Sequence, residues 1–97
     1  MRIEKKSEGN VLVISLDGRL DTNTSHDLEK EVASLDGVFS LIFDFERLDY
    51  ISSAGLRVLL SCQKRMEKQG TMVVKKANED VKEVFDITGF SNIITIE

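Results

Sequence analysis

The side chains best placed to do chemistry are two adjacent serines in the segment Leu48-Asp49-Tyr50-Ile51-Ser52-Ser53-Ala54-Gly55-Leu56-Arg57. A strand-like stretch ends before them and a long apolar helix pattern opens behind them. A serine in that place has two uses. Its hydroxyl can accept from the free N–H groups of the first turn, a cap worth about 0.5–2 kcal/mol. The same hydroxyl can also carry a phosphoryl group, because the spare donors and positive dipole end of a helix N-terminus tolerate an anion. Phosphorylation adds about −1.5 to −2 charges at neutral pH. Asp21, Asp44 and Asp49 are expected at the same rim, so the new charge would face carboxylates and change the surface while the fold survives. Ala54 and Gly55 are small enough to let the helix start lie close to a sheet. Both uses of the serines stay open on the residues alone.

Other chemistry is poorly provided for. His26 is the single histidine, and beside Thr24 and Asp27 in a helix's first turn it reads as a solvated residue rather than a general base. Cys62 is the single cysteine, so neither a disulfide framework nor a Cys/His zinc set can form, and no metal or other cofactor is expected. Cys62 lies in an apolar stretch and reads as a small buried hydrophobe in a reducing compartment. No GxGxxG or GxxxxGK[ST] pattern cradles a phosphate, and Ser53 has no visible triad partner. The expectation is a protein that binds and does not catalyse.

Charge narrows the partners. With 13 basic and 17 acidic side chains the net charge is −4, and the two signs are mixed along the chain. No basic stripe exists to neutralise a phosphate backbone, so nucleic acid is not an expected partner. No run of about 18 apolar residues occurs, so membrane insertion is not expected either. Met1 to Lys6 carries no apolar stretch behind its basic residues, so no secretory signal is read there and the cytoplasm is the expected location. The 97 residues, 41% hydrophobic and 31% charged, suit one globular domain spanning 1–97.

The elements that must hold the serines follow one another closely. Ile3 to Lys6 is a weak edge strand, joined through Ser7-Glu8-Gly9-Asn10 to the buried strand Val11 to Leu16. The capping cluster Thr22-Asn23-Thr24-Ser25 opens a helix with Leu28, Val32 and Leu35 on one face, ending at Asp36-Gly37. Leu41 to Phe45 is a second buried strand. The helix behind Ser52-Ser53 places Leu56, Leu59, Leu60, Gln63 and Met66 at helical spacing, widened by Val58 and Cys62, and stops at Gln69-Gly70. Thr71 to Lys76 is a third central strand. Asn78 caps a helix with Val81, Val84, Phe85 and Thr88 on one face and Gly89 as its stop. Ile93 to Ile96 is the last strand. The order β-β-α-β-α-β-α-β implies an α/β domain with right-handed crossovers and a mainly parallel sheet, bounded by one antiparallel edge strand. In such sheets function gathers at the carboxyl ends of the strands. Two polar loops are expected there, Asp17 to Ser25 and Glu46 to Gly55.

Three stretches of this sequence resemble one family. Asp44 to Leu60 is similar to the signature of the STAS family, the anti-sigma-factor antagonists. Leu16-Asp17-Gly18-Arg19-Leu20-Asp21 resembles its second motif, and Val84 to Phe90 its third. The likeness runs from Asn10 to Ile96. It implies a partner-switching regulator of transcription, which binds an anti-sigma factor with serine kinase activity while unphosphorylated. Phosphorylation then releases it, and a PP2C-type phosphatase resets it. By the same resemblance the phosphorylated serine maps to Ser53, with Ser52 as the alternative, and the family's acidic residue maps to Asp21. The implied partner surface is Asp21, Thr22, Asn23, Ser52, Ser53, Ala54, Gly55 and Arg57. Ser52 stands where many members carry Asp, and Ala54 where many carry a second Ser or Thr. STAS-like chains also serve as subunits of lipid-transport assemblies or stressosome-type scaffolds, a non-catalytic alternative on the same fold.

Overall fold

Alternation of buried and half-buried residues sets the strands, since each strand turns successive side chains to opposite faces of its sheet. The computed structural model describes residues 1–97. Strand β1 (Arg2–Glu8) returns antiparallel as β2 (Val11–Leu20), with Glu8 opposite Val11. The two-residue connection Gly9-Asn10 is possible because Gly9 takes φ +62°, in the left-handed region that tight hairpins use. Helix α1 (Thr22–Glu31), strand β3 (Ser40–Ile51), helix α2 (Ser53–Met66), strand β4 (Thr71–Lys75) and helix α3 (Glu79–Thr88) follow in turn. A single 3-10 turn, Phe90–Asn92, then leads to β5 (Thr95–Ile96). The sheet order is β1-β2-β3-β4-β5; β1 is antiparallel to β2, and the other pairs are parallel. This is the α/β arrangement the element order implies.

One face of the sheet carries all three helices. Leu12, Ile14 and Leu16 of β2, Leu41, Phe43 and Phe45 of β3, and Met72 and Val74 of β4 are buried there. They form one cluster with Leu28 of α1, Leu56, Leu59, Cys62 and Met66 of α2, and Val81 and Phe85 of α3. Phe45 sits at its centre, edge-on to Phe43 at 6.0 Å and stacked on Phe85 at 6.5 Å. Such ring pairs add about 0.5–1.5 kcal/mol each beyond the area they bury. Cys62 is fully buried as expected, and burial raises its thiol pKa against the opposing pull of Arg65. On the opposite face Val13, Ile42 and Val73 lie side by side, only half covered. No helix is long and apolar enough to cross a membrane.

Several boundaries differ from expectation. Helix α1 stops at Glu31, short of Asp36-Gly37, with Val32 at its C-cap. Val32 and Leu35 remain buried, but the chain reaches them through turns that the end of α2 holds. The Gln69 amide donates to the carbonyls of Leu35 at 2.7 Å and Val38 at 2.8 Å, tying these turns to the residues that follow α2. Strand β3 runs six residues beyond Phe45, to Ile51. Its pairing with β2 skips from Ser15↔Asp44 to Asp17↔Arg47 and from Gly18↔Leu48 to Arg19↔Tyr50, so β3 carries an extra residue at each step. These are bulges, and Asp44 stabilises the first by accepting from the Glu46 N–H at 3.0 Å. The stretches expected as loops, Asp17 to Ser25 and Glu46 to Gly55, are therefore strand as far as Leu20 and Ile51 and helix from Thr22 and Ser53. The last strand is shorter than expected because Phe90–Asn92 turns before it.

The crossing of α2 over the sheet depends on Gly55. A Cβ there would lie 2.7 Å from Leu20 Cγ, 2.9 Å from Leu20 Cδ2 and 3.2 Å from Ile51 Cγ1. Leu20 is fully buried, so it cannot swing aside. Alanine normally stabilises a helix by up to about 1 kcal/mol over glycine. At this position the sign reverses: Gly55→Ala is expected to destabilise the fold by about 1–3 kcal/mol through overpacking. Urea unfolding measures it, and a variant as stable as the parent would mean that the contact relaxes freely.

Candidate functional site

Two helices begin beside each other at the carboxyl end of the sheet, each one residue after its strand. β2 ends at Leu20 and α1 begins at Thr22; β3 ends at Ile51 and α2 begins at Ser53. Leu20 and Ile51 are paired, and the Ser52 N–H donates to the Leu20 carbonyl at 2.8 Å. Asp21 and Ser52, the two N-caps, are thus neighbours by construction.

Asp21 is bound into its own helix start. Its carboxylate oxygen Oδ1 accepts from the N–H groups of Asn23 at 3.0 Å and Thr24 at 2.9 Å. The Thr24 hydroxyl accepts from the Asp21 N–H at 2.8 Å and donates to the Arg19 carbonyl at 2.7 Å, a reciprocal capping box. The Thr24 N–H is the largest influence lowering the Asp21 pKa below its ordinary value. Partial desolvation opposes it, while the Thr24 hydroxyl, the Asn23 N–H and the Arg19 charge add to it. The cap falls on Asp21 itself, one residue before the polar cluster from which the sequence predicted it.

The paired serines divide their duties. The Ser52 hydroxyl accepts from the Gly55 N–H at 3.2 Å and is the N-cap of α2. Ser53 is the first helical residue and is exposed, and its hydroxyl takes no part in the cap. Of the two uses open to a serine here, capping is filled by Ser52, which leaves Ser53 at the surface. Gly55 is buried and offers no side chain, so its contribution to this rim is close packing against Leu20 and Ile51.

Thr22, Ala54 and Arg57 come together along a groove between α1 and α2, completed by Ser25, His26, Glu29, Val32, Val58, Ser61 and Arg65, with a volume of about 710 Å³. Asn23 is exposed at the first turn of α1. His26 is exposed as expected, its Nδ1 3.7 Å from Glu29 Oε1. Of the groove residues, Ser25 stands in the capping cluster, while Ser61 and Arg65 carry no motif. The α2 wall is nevertheless legible as a helical stripe: Ala54, Arg57, Val58, Ser61 and Arg65 follow at i, i+3, i+4, i+7 and i+11. Of the carboxylates expected near Ser53, Asp44 is elsewhere. It lies within β3 opposite Ser15 and Lys75, and it alternates with the buried Phe43 and Phe45, so it points to the helix-free face. Arg19 flanks the rim instead, its guanidinium 4.2 Å above the Tyr50 ring, a cation–π contact of about 0.5–1 kcal/mol at an exposed site.

A mixed sheet with its helices on one face and two capped helix starts at one rim is the architecture of a STAS-type α/β domain. The chain belongs to the STAS domain family, which it matches over residues 2–97. It is 35% identical over 99 residues to BtrV of Bordetella bronchiseptica, which bears the name of an anti-sigma factor antagonist; the match spans 99% of this chain and 85% of BtrV. The fold is similar to that of an anti-sigma factor antagonist from Mycobacterium paratuberculosis, with a TM-score of 0.88 at 20% identity over 98% of this chain and 83% of that one. It is also similar to the phosphorylated form of SpoIIAA, a Bacillus cell fate determinant, with a TM-score of 0.78 at 20% identity over 99% of this chain and 91% of that one.

Two outcomes follow for the caps. Ser52→Ala removes the acceptor for the Gly55 N–H and is expected to cost about 0.5–2 kcal/mol in urea unfolding, whereas Ser53→Ala is expected to leave stability nearly unchanged. Equal losses would assign both hydroxyls to the cap. Asp21 has a lowered folded pKa, so its stabilisation is complete above its unfolded pKa of about 3.9 and disappears as pH falls through the lower folded value. The stability gap between the parent and Asp21→Ala should be full at neutral pH and close on acidification. A gap independent of pH would show that the charge is irrelevant to the cap.

Proposed function

We propose that this chain is a non-catalytic cytoplasmic antagonist of an anti-sigma factor, switched by phosphorylation of Ser53. The reading rests most heavily on one observation: Ser52 occupies the cap of α2 through Gly55 N–H, while the neighbouring Ser53 hydroxyl is exposed at the helix start. A phosphoryl group on Ser53 would meet the positive end of the α2 dipole and leave the core untouched. It would also place about two negative charges beside Asp21 and at the mouth of the α1–α2 groove. A partner seated across Asp21, Thr22, Asn23, Ala54 and Arg57 would meet that charge directly. Repulsion against a docked surface costs far more than in open solvent, so binding is lost while folding is not.

In this account the unphosphorylated chain binds an anti-sigma factor that is also a serine kinase, which frees the sigma factor. The kinase then phosphorylates Ser53 and the antagonist dissociates. A PP2C-type phosphatase restores the hydroxyl. The family membership and the name of BtrV support the partner class. The division of labour between the two hydroxyls supports Ser53 as the acceptor over Ser52.

Incubation with ATP and a cognate anti-sigma kinase should add one phosphate, and peptide mass spectrometry should place it on Ser53. Phosphate confined to Ser52 overturns the assignment. In calorimetry Ser53→Asp should bind the kinase about tenfold or more weakly than Ser53→Ala, both being folded. Equal affinities would remove the switch and leave a constitutive scaffold.

A further inference from the structure

We propose that β1 is an association edge through which two copies of this chain join their sheets into one. β1 is the outermost strand, seven residues long, and all of it except Ile3 is exposed. Arg2, Glu4, Lys6 and Glu8 share the helix-free face. Their own neighbours on β2 barely answer them: Glu4 lies opposite Ser15, Lys6 opposite Val13 and Glu8 opposite Val11, and only Arg2 has a charged partner across the ladder, Asp17. Arg2 pairs with Glu4 along the strand at 2.8 Å. A row of alternating charges on an open edge is thus left facing outward.

That row is complementary to itself. A twofold axis relating two antiparallel β1 strands stands perpendicular to the sheet, so paired residues share a face and one residue lies on the axis. With Lys5 on the axis the whole of β1 is paired, and Arg2 meets the second copy's Glu8 while Glu4 meets its Lys6. Each of these pairs occurs twice. With Glu4 on the axis Arg2 would oppose Lys6, and with Lys6 on the axis Glu4 would oppose Glu8, so the neighbouring registers put like charges together. Lys5 itself is on the helix side, where its ammonium reaches Glu31 Oε2 at 3.2 Å and the Glu31 carbonyl at 3.1 Å, drawn away from the axis. Ile3 meets Ser7.

The backbone agrees. Glu8 and Val11 close a two-residue hairpin, so the even residues of β1 spend their N–H and C=O groups on β2 and those of Ile3, Lys5 and Ser7 point outward. In the Lys5-centred register these are the hydrogen-bonded pairs. The charged residues then fall at the non-hydrogen-bonded positions, where facing side chains approach most closely. Lysine on an edge normally repels other strands; here each exposed lysine has an acid to meet. β2 separates this edge from β3 and α2, so the Ser53 rim stays open in the pair.

Sedimentation velocity over a concentration series tests the proposal. The parent should show a monomer–dimer equilibrium that weakens with added salt. Glu4→Lys and Lys6→Glu each set like charges opposite one another twice and should weaken association about tenfold or more. Thermal unfolding confirms that both variants are folded, as expected from their neutral partners on β2. Mixing the two variants should restore association, because one chain then carries lysine at both positions and faces glutamate at both positions of the other. A parent that stays monomeric throughout, single variants that associate like the parent, or a mixture no better than its components would each overturn the proposal.

Discussion

The pairing of Leu20 with Ile51 is the constraint on which the polar rim depends. Because those two strand ends are level, the residue after each must turn in the same plane, and each becomes a helix cap. Asp21 and Ser52 have no freedom to be anywhere else. The hydrogen bond from Ser52 N–H to the Leu20 carbonyl fixes the second turn to the first strand. Gly55 then lets α2 settle directly on the two paired side chains. A helix held that closely at its first turn presents the same exposed residue, Ser53, in the same direction whatever happens further along the chain.

The stability of this arrangement lies in the core and the caps rather than in surface charge. The ion pairs all join exposed side chains, as Arg2–Glu4, Lys5–Glu31 and Lys76–Glu46 illustrate. Exposed pairs of this kind contribute between nothing and about 1 kcal/mol. The surface is therefore free to use its charges for recognition. The caps are different, because Asp21, Ser52 and Asn78 each satisfy donors that the helix cannot pair for itself. They tie the chemistry of the rim to the integrity of the helices, which is why an exposed neighbour such as Ser53 is better suited to covalent change than a capping residue.

The sequence is most legible where one physical effect dominates. β-branched runs such as Val11 to Leu16 and Thr71 to Val74 mark buried strands, and Asn78 with Gly89 brackets α3 at both ends, as the structure has it. Legibility fails where two effects compete. Beyond Phe45 the buried residues come every third position, Leu48 and Ile51, a spacing that suits neither strand nor loop until the bulges are known. The α1 cap is masked by a run of four good capping residues behind Asp21. The turns after α1 are held by Gln69, a residue 34 positions after the Leu35 carbonyl it serves, and no local pattern announces it. The α1–α2 groove is half visible, since the α2 stripe has helical spacing while its complement on α1 is decided by how the helices meet.

The two bulges in β3 bear on how this rim varies. Each adds a residue on the outer side while keeping Phe45, Leu48 and Ile51 in the interior, the last two opposite Gly18 and Leu20 of β2. Insertions of this sort are silent to packing but not to the outline of the molecule, for Arg47 and Tyr50 stand on the lengthened strip. Packing and outline are thereby uncoupled at this end of the sheet: the extra residues of β3 shape the surface strip of Arg47 and Tyr50 while Phe45, Leu48 and Ile51 stay buried.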